Sequence, residues 1–534
     1  MTLEKSPSFC EKDDKSTNVE ETNLHKRRAS VWSCDFESAI AAAGFGKFNA
    51  YLVIVAAITG LIAAFEGRAM AYIVPAAQCD LHININQKAM LSCIPFVGMV
   101  TTTFLWGLMG DLMGRKKIII IICSLDFICW IMSAFAQSFV KLLVSRLLGG
   151  MVSSGIYASL ASYITETHGV KHRAVMQLFL GNIFGIGDLL LPIMALGILT
   201  NNEIYKISSI VIHPWNSYVL ICSLLPFLSA LGFFLLPESP KFLMSKSQND
   251  QAINVFQSIY SLNTNKNNKL DYPVKSLKRI SKNADNLNTS PQNEATNGCL
   301  CKIALFCEHE NLKNICLAVF SQFFIIMGLN SVLLWVPQIF QEMSNRQKNH
   351  NRTATFCETM YDLCHKTNDI TDNCEEDMSG NINTYVYCMV VALATIILFI
   401  ISGFVVNTIG KHKLLYILGI CSAISTVLLI LADGIFQTLL LTAIICAFGN
   451  IGFNALVAIV ADIFPTNLRA MAVSLTMMLG RLGGAIGPFI FPVFLTYGCL
   501  PALLFIAALN LVWIVLVYQL PHIENSETSK NSEE

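Results

Sequence analysis

The sequence predicts an all-α polytopic membrane protein whose twelve transmembrane helices form two six-helix bundles. Its composition, a set of hydrophobic runs and an internal repeat all indicate this fold. Hydrophobic residues make up 54% of the 534 residues and charged residues only 13%, roughly half the charged share that is usual in soluble proteins. The formal net charge is zero, so nothing indicates nucleic-acid binding. We therefore expect a monomer that exposes apolar surface to the lipid bilayer.

Twelve hydrophobic runs are long enough to cross a bilayer, for which a helix needs about 20 mainly apolar residues. Six runs precede a polar stretch in the middle of the chain, and six follow it. The predicted spans lie near residues 50–73, 89–109, 117–137, 142–164, 174–199, 216–236, 314–340, 384–406, 413–432, 436–459, 470–497 and 501–520. Residues 1–47 are hydrophilic, so we expect no cleavable signal peptide.

Basic residues in the short loops indicate the orientation, because they concentrate on the cytosolic side of a membrane. They share one side with both termini: Arg115, Lys116, Lys117, Lys171, Arg173, Lys411, Lys413 and Arg469. The other side carries the 340–384 loop, in which Asn351 begins a glycosylation sequon. We expect cytosolic termini and an outer or lumenal loop, in the plasma membrane or an intracellular vesicle membrane.

The expected domain organisation follows from this topology. The cytosolic tails, 1–47 and 521–534, are charged and rich in Ser, Asn and Glu, which is typical of disordered segments. Six-helix bundles are predicted at 48–236 and 313–520. Residues 237–312 form a basic cytosolic loop that links the bundles, and we do not expect this loop to have its own core.

Most of the 18 cysteines lie singly in predicted helices, where they act as small apolar residues. Three cysteines, Cys357, Cys364 and Cys374, lie together in the outer loop, so we expect one disulfide there. An odd number cannot pair completely, and the spacing leaves the pairing open. The candidates for a fourth partner are Cys79, Cys388 and Cys499.

An internal repeat relates the two halves at a constant offset of 296 residues. The matched positions are Gly107 with Gly403, Asp111 with Asn407, Gly114 with Gly410, Arg115 with Lys411, Glu166 with Asp462 and Arg173 with Arg469. Several matches at one offset indicate a parallel repeat of two bundles. Such repeats are typical of transporters, in which two bundles rock about a site at their interface near the midplane.

The matched elements are typical of a gate. Glycines allow a tight turn between helices, and Asp111 is placed to meet the positive end of a neighbouring helix. Arg115 and Lys116 stay at the cytosolic surface, while Glu166 and Arg173 flank another turn, where they could pair. We expect these contacts to form in one state of the transport cycle and to break in another. The alternative is that the residues only fix topology and cap loops.

The motifs also carry a family resemblance. The loop Gly107-Leu-Met-Gly-Asp-Leu-Met-Gly-Arg-Lys116 resembles the signature of the major facilitator superfamily. The segments 74–81 (VPAAQCDL) and 464–470 (FPTNLRA) resemble the insect synaptic vesicle glycoprotein 2-like branch of organic ion transporters. The resemblance covers about residues 48–520 and implies the major facilitator fold, with spans one, five and eleven around a central cavity.

The sequence departs from the resembled families at three places. Trp215-Asn216 stands where the relatives usually have Trp-Arg, so whatever that arginine contacts is missing. Asn407 stands where the first half has Asp111. The outer loop at 340–384 is about 44 residues long, which is too short for the folded lumenal domain of vertebrate synaptic vesicle glycoprotein 2. A receptor role that depends on that domain is therefore not implied.

Four charged residues lie well inside predicted spans: Glu66, Asp126, Asp188 and Arg481. A charged side chain at mid-bilayer costs about 2.5–3.5 kcal/mol on insertion scales, so such residues mark internal pairs or substrate pathways. Glu66 suits proton coupling or cation binding. Asp188 could be a proton carrier or a buried structural partner. The alternative for Glu66 is an ion pair with Arg68 or Arg481.

Arg481 is the candidate for substrate binding. The resemblance places it where organic anion transporters carry a basic residue and organic cation transporters an acidic one. Its guanidinium could hold a substrate carboxylate in a bidentate pair, or it could neutralise Glu66 or Asp188. Asn330 and Asn454 could line the same cavity, although hydrogen bonding between helices is the commoner use of such residues.

We therefore expect a secondary active transporter of a small organic ion, with an anion slightly favoured and proton coupling possible. The chain has no nucleotide-binding loop, no metal-binding motif and no enzymatic nucleophile–base arrangement, so no cofactor and no enzyme activity are expected. The alternative is a transporter-like vesicle protein with a trafficking or receptor role and little or no transport.

Overall fold

The computed structural model describes residues 11–12, 32–200, 205–207, 210–265, 272–278, 308–350, 355–365 and 382–521. Twelve helices within these ranges are long and apolar enough to cross a membrane, which confirms the predicted fold. Spans 1 to 12 are, in order, Lys47–Arg68, Ile85–Met113, Arg115–Ala134, Phe139–Thr167, Val170–Ile198, Pro214–Leu235, His309–Gln347, Ile382–Ile409, Lys411–Leu431, Ile435–Ile463, Met471–Thr496 and Cys499–Tyr518.

Breaks and extensions modify several spans. Span 4 consists of Phe139–Ser153 and Ile156–Thr167, and span 6 of Pro214–Cys222 and Leu224–Leu235. The first helix of span 7 is His309–Leu333, span 9 ends in the 3-10 turn Leu429–Leu431, and the span 11 helix is Thr466–Thr496. The other helices are α1 (Phe36–Ala43), α2 (Met70–Ala76), α3 (Pro240–Ser245), α4 (Asn249–Thr264), α5 (Val336–His350) and α6 (Phe356–His365).

Two small sheets complete the described structure. Strand β2 (Trp32–Cys34) pairs antiparallel with β1 (Glu11–Lys12) and parallel with β5 (Ser276–Leu277). The hairpin of β3 (Tyr205–Ile207) and β4 (Ile210–Ile212) lies between spans 5 and 6.

The turns after spans 2 and 8 have the same backbone geometry. Gly114 has a φ angle of 101° and Gly410 one of 85°, a region that residues with a Cβ rarely adopt. In each case the next span begins at the following residue. The glycines that the repeat matches at these positions are therefore required by the backbone.

Close helix contacts hold each half together. A Cβ at Gly98 of span 2 would lie 2.3 Å from a carbonyl oxygen of span 4, and one at Gly483 of span 11 would lie 2.2 Å from a carbonyl oxygen of span 7. Membrane helices associate through such small residues because these let the backbones approach. The halves meet along two seams, span 2 against span 11 and span 5 against span 8.

The two ends of the bundle differ. We call the end that carries Arg115 and Lys411 the basic face, and the opposite end, which carries α6, the loop face. At the loop face, α2 of the first half contacts α5 of the second half. Ala89 shares a buried apolar cluster with Trp335, and Tyr72 packs against that cluster. The space between the halves is therefore closed at the loop face.

A packed layer covers the first half at the basic face. Ile40 of α1, Phe256 of α4 and Tyr272 are buried in one apolar cluster with the membrane spans. The Tyr272 hydroxyl donates to the Ala39 carbonyl oxygen at 2.6 Å. The expectation of a disordered tail is wrong for 32–43, because the apolar residues of this segment and those of 240–265 and 272–277 bury each other against the spans. The loop residues share the core of the spans, so the expectation that 237–312 has no core of its own stays a prediction.

Candidate transport site

A cavity lies between the halves near the middle of the membrane spans. Residues from spans 1, 2, 4, 5, 7, 10 and 11 form its walls. The polar residues on these walls are Arg68, Ser153, Asn330, Asn450, Asn454 and Arg481. The structure thus brings three predicted site residues, Asn330, Asn454 and Arg481, to one cavity.

Arg481 has only neutral partners in this cavity. Its Nη1 donates to Thr103 Oγ1 of span 2 at 2.8 Å and to the Ser154 carbonyl oxygen of span 4 at 3.3 Å. Among the residues that the structure describes, no carboxylate lies within 4.0 Å of the guanidinium. The alternative in which Arg481 neutralises Glu66 or Asp188 is therefore wrong for this arrangement.

Asp188 lies beside the cavity and pairs with Arg68, whose role the sequence did not indicate. The Arg68 Nη1 atom contacts Asp188 Oδ2, and its Nη2 atom donates to Asn450 Oδ1 of span 10 at 2.9 Å. Arg68 and Asp188 belong to the first half and Asn450 to the second. A single guanidinium therefore links both halves on the cavity wall.

Asn450 and Asn454 are held by their own helix. The Asn450 side-chain amide donates to the Cys446 carbonyl oxygen at 3.0 Å, and that of Asn454 donates to the Asn450 carbonyl oxygen at 2.9 Å. Their side-chain oxygens remain as acceptors toward the cavity, and Asn450 uses its own for Arg68.

Glu66 does not line the cavity. It is fully buried inside the first half, where its Oε2 lies 3.3 Å from Nη1 of Arg146, which is 1% exposed. The expected pairs with Arg68 and Arg481 are therefore wrong. Residues two apart project about 200° apart around a helix, so Glu66 faces span 4 while Arg68 faces the cavity.

Arg146 and Asp126 complete this buried group. Arg146 starts about 10 Å inside span 4 at 1.5 Å per residue, too deep to reach the membrane surface. It also donates to Ser133 Oγ at 2.8 Å and lies 3.9 Å from the centre of the Trp130 ring. Asp126 is 0% exposed, and neither of its carboxyl oxygens has a hydrogen-bond partner in the described structure.

At the basic face the gate residues of the first half pair with one another. Arg115 contacts Asp111 at 2.9 Å and Glu166 at 3.3 Å. The Lys116 backbone N–H donates to Glu238 Oε1 at 3.0 Å. Glu166 also accepts from Ser239 just before α3. These contacts tie spans 2, 3 and 4 to the chain after span 6.

The expected Glu166–Arg173 pair does not form in this arrangement. Arg173 instead contacts Glu37 Oε2 of α1 at 2.9 Å and donates to the His168 carbonyl oxygen at 2.9 Å. The packed layer at the basic face therefore competes for the arginine.

The gate of the second half is simpler. Lys411 contacts Asp462, and both side chains are largely exposed. The Asn407 amide donates to the Gly403 carbonyl oxygen of its own helix at 3.5 Å, and Arg469 is exposed. Each ion pair described for the gate thus joins groups of one half.

A disulfide joins Cys357 of α6 to Cys499 at the start of span 12. Of the partners that the sequence left open, Cys499 pairs with Cys357, while Cys388 is a free buried thiol. Cys79 is also disulfide-bonded. Asn351 and Cys374 lie outside the described residues, and the side chain of Cys364 is not described.

Comparison with known proteins agrees with the motifs. A family model described as Major Facilitator Superfamily matches residues 56–350 and 379–534. Synaptic vesicle glycoprotein 2A of Homo sapiens is 27% identical over 231 residues, which are 43% of this chain and 31% of that protein. Synaptic vesicle glycoprotein 2C of Homo sapiens is 27% identical over 230 residues, 43% of this chain and 32% of that protein. The chain thus aligns with about a third of the length of these relatives.

Solved structures share the fold. The xylose transporter XylE from E. coli in an inward open conformation superposes with a TM-score of 0.64, at 14% identity, over 91% of this chain and 99% of the other. Its partially occluded inward open conformation gives a TM-score of 0.63 at 13% identity, over 89% and 100%. At this identity the likeness shows the fold alone.

Proposed function

This chain belongs to the Major Facilitator Superfamily, and we propose that it carries a small organic anion by alternating access. The family match and the shared twelve-helix fold identify a membrane transporter rather than an enzyme. The anion and the driving force are our proposals. The membrane is the plasma membrane or a vesicle membrane, with both termini in the cytosol and Asn351 glycosylated on the other side.

The proposal that the substrate is an anion rests on the neutral surroundings of Arg481. A charge at mid-bilayer costs about 2.5–3.5 kcal/mol unless it is compensated. Arg68 and Arg146 each have a carboxylate, whereas Arg481 has Thr103 and a carbonyl oxygen. A planar guanidinium binds carboxylate or sulfonate oxygens through two parallel hydrogen bonds. A substrate anion therefore supplies the missing counter-charge.

Alternating access fits the unequal ends of the bundle. The loop face is closed by α2 against α5, while the gate pairs described at the basic face each stay within one half. We propose that Asp111, Lys116 and Glu166 of the first half, and Lys411, Asp462 and Arg469 of the second, exchange partners across the halves when the basic face closes.

Proton coupling is assigned to Glu66. Its carboxylate is buried against Arg146 on span 1, the helix that also presents Arg68 to the cavity. Movement of span 1 would therefore change the surroundings of Glu66 and the shape of the anion site together. A bistable element of this kind links an ion gradient to substrate movement.

Uptake into proteoliposomes tests the anion assignment. The panel comprises labelled benzenesulfonate, benzoate, succinate, tetraethylammonium and xylose. We expect uptake of the monovalent anions, and a Michaelis constant that rises about 10- to 100-fold in Arg481→Gln, as for loss of a charged hydrogen bond of about 1.5–3 kcal/mol.

Arg346→Gln, which removes a guanidinium at the loop face, serves as the matched control and should leave uptake unchanged. Preference for tetraethylammonium or xylose in the wild type would overturn the anion assignment. Absence of all uptake from correctly folded protein would favour a trafficking or receptor role.

A further inference from the structure

Two carboxyl groups share one guanidinium inside the first half. Glu66, Asp126 and Arg146 lie on spans 1, 3 and 4 and are 0%, 0% and 1% exposed. We call Glu66 and Asp126 the acid pair. Arg146 is in contact with Glu66 at 3.3 Å, and Asp126 has no ion pair in the described structure.

The carboxyl groups of the acid pair also have fewer hydrogen bonds than their oxygens can accept. Glu66 Oε1 and both carboxyl oxygens of Asp126 are buried without a described partner. A Cβ on Gly149 of span 4 would lie 2.5 Å from Glu66 Oε1, so helix backbone rather than solvent covers this oxygen. Three acceptors thus lack a hydrogen bond of normal geometry at the centre of the first half, although the Trp130 indole lies near both carboxyls.

Among the residues that the structure describes, Arg146 is the positive charge in contact with the acid pair. The other groups around the pair are thiols, an indole and a hydroxyl, none of which is basic: Cys123, Cys129, Cys222, Trp130 and Ser133. With both carboxyls ionised, the acid pair and Arg146 would carry a net charge of −1 in a buried position. A buried charge without compensation takes up or loses a proton instead.

The cavity, in contrast, has an excess of positive charge. Arg68 and Arg481 line it, and Asp188 is the carboxylate paired with Arg68. Their net charge is +1 before a substrate binds. A monovalent anion cancels it, whereas a divalent anion leaves an excess negative charge at a depth where each charge costs about 2.5–3.5 kcal/mol.

We propose that the acid pair holds one bound proton and that the protein carries this proton together with one monovalent organic anion, without net charge movement. The proposal rests on the anion transport proposed above and adds Asp126, the proton count and the valence of the substrate. The proton brings the acid pair and Arg146 together to a net charge of zero and provides a hydrogen-bond donor to the carboxyl oxygens. The proton site and the anion cavity lie on opposite sides of span 1.

Infrared spectroscopy of the purified protein in lipid nanodiscs tests the bound proton without any substrate. At pH 7 we expect one carbonyl stretch of a protonated carboxylic acid in the wild type, with a shift in heavy water. Glu66→Gln and Asp126→Asn should each abolish it, because one carboxylate then remains with Arg146. Asp126→Glu should retain it, and so should the control Asp188→Asn.

Several spectroscopic results would overturn the bound proton. They are absence of the band in the wild type, its persistence in both Glu66→Gln and Asp126→Asn, and its loss in Asp188→Asn. Because Asp126→Glu keeps the carboxyl, loss of the band there as well as in Asp126→Asn would assign the effect to packing rather than to the proton.

Transport of benzenesulfonate tests the stoichiometry, because a sulfonate stays ionised and cannot itself carry the proton. Wild-type uptake should follow an imposed pH gradient and ignore a potassium–valinomycin potential. In Asp126→Asn, uptake should lose its response to the pH gradient and respond to the potential. A potential response in the wild type would overturn the one-to-one count. Absence of benzenesulfonate uptake would reject the count and the proposed function, while the infrared band would still decide the bound proton.

Discussion

Arg68, Arg146 and Arg481 lie away from the two faces of the bundle, and their partners separate their roles. Arg68 contacts Asp188, Arg146 contacts Glu66, and Arg481 contacts a hydroxyl and a carbonyl oxygen. Compensation by a carboxylate makes the first two arginines part of the fold. An uncompensated charge is costly at this depth in the membrane, so Arg481 is the arginine of the three that requires a ligand.

The carboxylate beside the cavity sets the preferred charge of the substrate. Replacement of Asp188 by Asn would raise the cavity charge from +1 to +2, counting Arg68 and Arg481. We expect the uptake ratio of 1,3-benzenedisulfonate to benzenesulfonate to rise roughly tenfold, as for an interaction of about 1.4 kcal/mol. Competition uptake with both labelled anions measures this ratio.

Asp433→Asn removes a carboxylate from the exposed loop face and is the matched control for this experiment. An unchanged or lower ratio in Asp188→Asn would show that Asp188 does not set the valence.

Residue-level prediction from sequence succeeded where a charge stands out against an apolar run. Glu66, Asp188 and Arg481 were identified in this way, and each occupies a buried or cavity position. Their partners could not be predicted, since spacing along one helix does not reveal which other helix is adjacent. Arg146 carries a similar signal, but in the first turns of span 4 a long side chain could also reach the surface, so the sequence does not distinguish the two cases.

Among the elements, the turn that ends span 4 contains a buried histidine outside the membrane spans. His168 is 1% exposed, its Nδ1 is 2.9 Å from the Ile164 carbonyl oxygen, and its Nε2 has no described partner. Burial lowers the pKa of His168 below its usual 6.5, and His172 and Arg173 add to this effect.

This lowered pKa predicts a pH dependence. The unfolded chain binds a proton on His168 more readily than the folded chain, so folding stability falls as the pH drops below about 6.5. Between pH 7.5 and 5.5 the thermal midpoint should fall less in His168→Gln than in the wild type. An exposed histidine elsewhere serves as control: His309→Gln should behave as the wild type. Equal pH dependence in all three proteins would contradict the prediction.

The Cys357–Cys499 disulfide crosslinks two helices at the loop face. It joins α6 to span 12 across a sequence separation of 142 residues. Loss of a native disulfide typically costs about 2–5 kcal/mol, mainly through greater freedom of the unfolded chain. Cys499→Ser should therefore lower the thermal midpoint by several degrees, as measured by size-exclusion chromatography after heating.

Cys316→Ser removes an exposed free thiol and controls for the loss of a cysteine. Equal midpoints for Cys499→Ser and Cys316→Ser would show that the crosslink does not stabilise the loop face.

The spans and their order were predictable because lipid imposes a length and a composition on each helix. The layer of α1, α4 and residues 272–277 was not, although Phe256 and Ile40 lie in its core. These apolar residues are thinly spread in polar segments that are far apart in the chain, and no local pattern shows that they pack together.

At the scale of the whole molecule, the two halves contribute different residues to the proposed proton and substrate sites. The acid pair and Arg146 belong entirely to the first half, while Arg481, Asn330 and Asn454 belong to the second. The described hydrogen bonds that join the two halves at the cavity run from Arg68 to Asn450 and from Arg481 to Thr103 and Ser154.

This division makes the halves separable in evolution. Substitutions in spans 7, 10 and 11 could alter the cargo while the energy source in spans 1, 3 and 4 stays intact. A gene duplicated as two similar bundles can therefore diversify one copy of the repeat under relaxed constraint while the other is conserved. Chimeras that exchange residues 308–521 between relatives would then inherit selectivity from one parent and coupling from the other.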